Sequence, residues 1–242
     1  MLRPAAYPLT VQSPSDLQNQ QASSPRSHGF TLIELLVVIA IIAILAALAF
    51  PMASRTIASG HTAKATSNLR QIGGLLTSYV ADNNNRLPAY EPPGWSTATN
   101  SKFWQNVLRM HGGLPVRGNP DKDTWLPEIF YDPLVKQGRQ HLWGCFGGNS
   151  AVLRKPNGTP MSAIPAPTRK VVVASAVDST AKNRFDSSWY FDGTNAMTAP
   201  AKVDPRHKDK VLCLFVDGHT EALDVANMSP SDRRKYFLLD DN

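Results

Sequence analysis

Sixteen consecutive apolar residues, Leu35 to Phe50, follow directly on Gly29-Phe30-Thr31-Leu32-Ile33-Glu34, so one carboxylate stands just inside a membrane-length hydrophobic stretch. As an α-helix the segment from Phe30 to Phe50 would rise about 31 Å, the thickness of a bilayer's hydrocarbon core. A charge beside lipid is costly unless paired, which makes Glu34 a functional residue by expectation. A secretory signal peptide is the competing reading. Its apolar core is shorter, about 7 to 15 residues, and ends in a small-x-small site. Here Ala47-Leu48-Ala49 is the one such site, and an acid opens the run.

These residues resemble the processing site of type IV prepilins and type II secretion pseudopilins. The resemblance implies that a prepilin peptidase cuts after Gly29 and methylates the new amino terminus at Phe30. It also implies that Glu34, fifth in the mature chain, acts in assembly with other pilin or pseudopilin subunits, and it matches Pro51 to a proline common in the family. The partner this suggests for Glu34 is the α-amino group of Phe30 in a neighbouring subunit. Pairing within one chain is the simpler case, but a buried charge needs a partner and staggered helices supply one. The charges flanking the apolar run do not settle its orientation: Arg3 and Arg26 precede it, and Arg55, Lys64 and Arg70 follow. A cytoplasmic amino terminus and a periplasmic head, single-pass in the inner membrane, are what the resemblance implies.

Four segments are expected. Residues 1–29, rich in Pro, Ser and Gln, read as a disordered leader, and 30–51 as the transmembrane helix. Residues 52–85 read as its amphipathic continuation, and 86–242 as a globular α+β head. In the continuation Leu69, Ile72, Leu76 and Tyr79 recur every three or four residues, one apolar face aimed at a core. Gly73-Gly74 weakens this helix and Asp82-Asn83-Asn84-Asn85 ends it. The fold class is α+β and pilin-like: a long N-terminal helix packed on an antiparallel β-sheet with long loops.

In the head, Arg86 to Gly144 is dense in Pro, Gly and Trp and reads as loops suited to recognition, with a short helix around Lys102 to Met110. Gly144 to Gly148 reads as a turn. Val171 to Val177, apolar on both faces, should be a central strand. Val211 to Val216, Asp217-Gly218, and His219 to Leu223 form the pattern of a hairpin with a two-residue type I′ turn. Trp189 to Gly193 suggests a second. Ser229 with Pro230 reads as the capped start of a short terminal helix.

His207, nine residues, then Asp217-Gly218 resembles the H-X9-DG carboxy-terminal domain found with such stems in many bacterial prepilin-like proteins. Gly147 to Asn149 and the strand ending at Asp178 agree with that resemblance. Tyr131-Asp132-Pro133 departs from it, since relatives often have Cys-Pro there. Asp217-Gly218 reads foremost as a turn and His207 as a hydrogen-bonding residue of the adjoining loop. Convergence of His207, Asp217 and His219 on a cation is the sharper, less favoured reading. Asn119, Asp121 and Asp123 alternate as in calcium loops, but Thr124 stands where an EF-hand needs Gly. No metal site and no cofactor are expected. With no G-x-S-x-G, H-E-x-x-H, P-loop or C-x-x-C, neither is an enzyme.

The chain carries 25 Lys and Arg against 19 Asp and Glu, and the excess is dispersed, which argues against a nucleic-acid groove. Cys145 and Cys213 either pair, closing a loop worth on the order of 4 kcal/mol, or stay as buried thiols. Sequence leaves both open. A structural subunit of a pilin-like or type II secretion pseudopilus assembly is the leading function. A membrane-tethered periplasmic binding module that does not polymerise, its Trp-rich loops contacting an envelope polysaccharide, is the alternative. A secreted enzyme cut after Ala49 is third.

Overall fold

The structure, a computed structural model, describes residues 31–89, 103–115, 126–136, 139–140, 144–153, 157–179, 187–188, 190–199 and 201–239, without the side chains of 51–54. The chain divides into two compact units, Met1–Pro51 and Met52–Asn242. Helix α1, Leu32–Asp82, contributes to both.

In the first unit every described residue is exposed, including Leu36, Ile42 and Leu48. Apolar residues all round a helix need an apolar surrounding. Among the described residues this one helix is long and apolar enough to cross a membrane.

In the second unit the surroundings of α1 change. Arg55 to His61 are exposed, Thr62 is the first half-buried residue, and Ala65, Leu69, Ile72, Leu76 and Val80 are buried at helical spacing. The helix ends at Asp82, and Asn84 and Asn85 take positive φ of 51° and 58°, the left-handed conformations Asn tolerates. Tyr79, on the expected face, is partly buried.

The sheet runs β3 (Tyr190–Phe191), β1 (Phe146–Asn149), β2 (Val171–Asp178), β5 (Val211–Phe215), β6 (Thr220–Leu223), with β4 (Ala201–Val203) on the far half of β2. β2 is central, as its two-sided apolar pattern requires, and buried from Val171 to Ala176. Pairing is antiparallel except between β1 and β3. The sheet is thus antiparallel as expected but for one parallel edge. The hairpin expected at Trp189 to Gly193 is corrected, because β3 instead feeds a turn and Asp192 N–H bonds to Ala201 C=O. Trp189 lies outside the described residues. Of the expected 144–148 turn only Gly144, with φ of +98°, and Cys145 lie outside the strand Phe146–Asn149. Its glycines permit close packing: a Cβ on Gly148 would stand 2.6 Å from Trp104 Nε1.

Two cores lie on opposite faces of the sheet. One gathers the α1 stripe with Phe146, Val172, Val173, Leu212, Leu214, Phe130 and Trp104, the last on helix α2 (Trp104–His111). The other gathers Val171, Ala174, Val211, Cys213, Phe215 and Phe191 with Phe237 of α3 (Pro230–Phe237). A register shift between Val171 and Val173 lets Val172 and Val173 share the helix face. Ser229 caps α3, accepting from Asp232 N–H as its position before Pro230 predicts.

The two cysteines are free and buried, one in each core, so the sheet itself separates their thiols. Burial pushes the Cys145 thiol from 9.0 up to about 11, against smaller opposing effects of Ser187, the Asp132 backbone and Arg206; Cys213 is raised further by burial and then by Glu221. An acid with a raised folded pKa favours folding below its unfolded pKa and withdraws that preference as pH rises towards the folded one. Unfolding of the head should therefore need progressively less denaturant between about pH 9 and 11. Replacing both cysteines with Ala should flatten that slope in a chemical-denaturation series, and an unchanged slope would contradict the assignment.

Candidate functional site

Gly29 and Phe30, the expected processing residues, lie outside the described residues, as do Asn119, Asp121 and Asp123. Glu34 is described and sits in the first turn of α1, three residues after Thr31. Thr31 N–H and Oγ1 each donate to Glu34 Oε2 at 2.8 Å, and Glu34 N–H donates to Thr31 Oγ1 at 3.3 Å. This is a reciprocal capping box, with the hydroxyl and carboxylate satisfying orphan donors of the first turn. Thr-x-x-Glu was readable in the sequence, so this local role of Glu34 had a signal. Both Thr31 bonds use Oε2, so Oε1 is left for a further donor.

His207 is buried at the turn between β4 and β5. It exchanges backbone hydrogen bonds with Lys210 at 3.2 Å, and Lys208 and Asp209 between them have φ of 54° and 62°. Two successive left-handed residues make this the type I′ hairpin. The ring reaches two other elements. Its Nε2 lies 2.7 Å from Asp132 Oδ2, with both side chains fully buried, and its Nδ1 lies 3.2 Å from Thr62 Oγ1 on α1. With a proton on Nε2, the imidazole donates to Asp132. Asp132 Oδ1 also accepts from Leu134 N–H at 3.0 Å. Nearby, buried Asn68 of α1 donates to Tyr131 C=O at 3.0 Å. These contacts bind the 131–135 loop to the helix.

Asp217-Gly218 sits in a different turn. Phe215 N–H donates to His219 C=O at 2.9 Å and Gly218 N–H to Phe215 C=O at 3.0 Å, so the loop has three residues and only Gly218, at φ +93°, is left-handed. The expected two-residue type I′ turn is thus corrected to a three-residue loop closed by Gly. Asp217 Oδ1 accepts from His219 N–H at 3.2 Å and lies 2.6 Å from its Nδ1, and that ring stacks on Phe215 at 4.1 Å. His207 therefore faces Thr62 and Asp132, while Asp217 and His219 face each other. The three are not brought together, and among the described residues no three potential ligands could hold a metal ion.

One further constellation has the residue types of a hydrolase. Ser78 Oγ and Asp82 Oδ2 both face Nε2 of His111, at 3.1 and 3.6 Å. A Ser–His–Asp relay needs its carboxylate on the other ring nitrogen, so this cluster does not form one. Its observed role is to join α2 to the end of α1.

Residues 24–50 match the model of the prokaryotic N-terminal methylation motif. By that segment the chain is prepilin-like. Among curated proteins it is similar to the type IV major pilin protein PilA of Myxococcus xanthus (strain DK1622), 31% identical over 98 residues. That match covers 40% of this chain and 44% of the relative, so the chain spans less than half of the pilin it matches. No solved structure matches the chain.

Sequence reasoning missed Thr62, an ordinary helix residue until its neighbours are known, and read Gly73 only as a weak point of the helix. It flagged Asp132 only as a departure from Cys-Pro. Removing one partner of a fully buried hydrogen bond leaves the other unsatisfied, so His207→Ala should cost the head about 1–3 kcal/mol in denaturant unfolding. Asp217→Ala, in an exposed turn, should change the same midpoint far less. Equal losses would contradict the distinction.

Proposed function

We propose that this protein is a structural subunit of a pilin-like or type II secretion pseudopilus assembly. It is made with a leader that prepilin peptidase removes after Gly29, and it is methylated at Phe30. It is single-pass in the inner membrane, amino terminus cytoplasmic and head periplasmic, until subunits associate through α1. The observation that carries this reading is a carboxylate at the third position of a helix that is apolar on every side for the next four turns. The methylation motif over the same residues supports it.

The chemistry follows from charge and spacing. Cleavage after Gly29 would expose an ammonium at Phe30, next to the Thr31 cap. Glu34 offers that ammonium's counterpart one turn away. In a single chain Thr31 already occupies Oε2. Oε1 is then the natural acceptor for the Phe30 ammonium of an adjacent subunit, and two half-desolvated charges become one pair in an apolar bundle. Helices related by a small stagger would repeat that pair along a fibre. Of the Trp-rich segment expected to recognise a partner, Trp95 and Trp125 lie outside the described residues, and Trp104 is in the core, fully buried against Phe130.

Amino-terminal mass spectrometry of the natural protein should give a chain beginning with N-methyl-Phe30. A first residue at position 50 or beyond would instead mark a secreted protein. Glu34→Ala should leave cleavage intact and stop incorporation into fibres, read by shearing and immunoblot. Normal incorporation of the variant would refute the pairing role. Cross-linking of native membranes that recovers monomers alone would favour the tethered binding module.

A further inference from the structure

We propose that the nine-residue interval between His207 and Asp217-Gly218 is a ruler that docks the β5–β6 hairpin onto α1 at two fixed levels. The interval divides into two parts with different jobs. Lys208-Asp209 is the left-handed pair of the type I′ turn, and Lys210 to Val216 is β5 with one residue at each end. His207 is held level with Lys210 by their mutual backbone bonds. The six steps from Lys210 to Val216 then span about 20 Å of strand.

On the helix, the lower level is Thr62, whose Oγ1 meets His207 Nδ1. The upper level is Gly73, where a Cβ would come within 3.2 Å of Gly218 O and 2.9 Å of Leu214 Cδ1. A Cβ on Gly218 would in turn lie 3.6 Å from Thr77 Oγ1. Thr62 to Gly73 is about 16 Å along a helix and Thr62 to Thr77 about 22 Å, which brackets the strand length. Helix and strand therefore match in reach over this interval. Leu212 and Leu214 fill the space between the two levels, packed in one core with Ala65, Leu69 and Ile72.

Each residue type then has a physical reason. The lower level needs a side chain with two hydrogen-bonding nitrogens, since it must join α1 to the buried carboxylate of Asp132 on a third segment. The upper level needs a glycine twice, once for a positive φ and once for close approach. Asp217 folds its side chain back on His219 N–H and so shapes the loop. Arg70 adds a lateral tie, donating from Nε to Thr220 Oγ1 at 3.4 Å. This assignment concerns the head and its own stretch of helix, and it stands whether or not the chain polymerises.

The test uses the full chain in detergent micelles and reads hydrogen exchange segment by segment. One Gly inserted after Lys208 lengthens the interval to ten while leaving the β5 and β6 side chains in register. It should speed exchange of the α1 amides around residues 62–66 by about tenfold, the loss of one hydrogen-bonded contact, with β2 protection unchanged. Thr62→Val, which keeps the shape and removes the hydroxyl, should do the same. Thr62→Val also gives up the hydroxyl's bond to Ala58 C=O, but that bond is present with or without the insertion. Adding the insertion to Thr62→Val should therefore add nothing further, because the contact to His207 is already broken. A control Gly inserted after Ala226 should leave α1 unaffected. Should the Lys208 insertion unfold the head, Thr62→Val alone decides: local acceleration supports the ruler, and wild-type exchange at 62–66 overturns it. Independent, multiplying effects of the two changes would also overturn it.

Discussion

The packing of one helical stripe, Ala65, Leu69, Ile72, Leu76 and Val80, on the face of the sheet carrying Val172, Leu212 and Leu214 governs the architecture. It fixes which part of α1 belongs to the head and which part stays exposed. Each fully buried aliphatic side chain contributes about 1.5–3 kcal/mol relative to exposure, so the stripe outweighs any single polar contact here. From Leu32 to Phe50 every residue of the same helix is exposed. Its stability there has to come from a different solvent. Such a helix answers to two environments, and the change falls within Arg55 to His61, where every residue is exposed.

Much of this was legible because it rests on periodicity. The three-to-four spacing gave the buried face of α1, the run of Asn gave its end, and the two-sided apolar pattern of Val171 to Val177 gave the central strand. What was not legible depended on partners distant in sequence. Gly73 looks like a weak point in a helix until Gly218 is found against it, and His207 looks like a loop residue until Asp132 and Thr62 close on it. Asp217-Gly218 was read as the tight turn because that dipeptide favours it. The tight turn is instead Lys208-Asp209, a pair with a much weaker signal, held by the mutual His207 and Lys210 bonds. Gly147 and Gly148 carry the signal of a turn, whereas they let β3 and Trp104 come near.

The polar interior follows the same logic. A buried imidazole and carboxylate give up hydration that their attraction only partly restores, so the pair is a poor source of net stability. What it supplies is specificity. It is fully satisfied only when the β4–β5 turn, the 131–135 loop and α1 are all in register. Apolar packing alone tolerates small shifts, and the His207–Asp132–Thr62 chain does not. Asn68 and Ser175 act similarly, each bonding to backbone of a second segment, at Tyr131 and Asp204.

The central claim is that α1 meets lipid over one stretch and its own sheet over another. A spin-label accessibility scan of the full chain in bilayers, from residue 35 to residue 80, tests it most directly. The account predicts labels at 36–48 open to oxygen and closed to a water-soluble nickel complex at every position. It predicts access to the nickel complex throughout 55–61 and a three-to-four alternation from 62 onward. Alternation of that kind already present in 36–48 would place this stretch against protein rather than lipid and contradict the account.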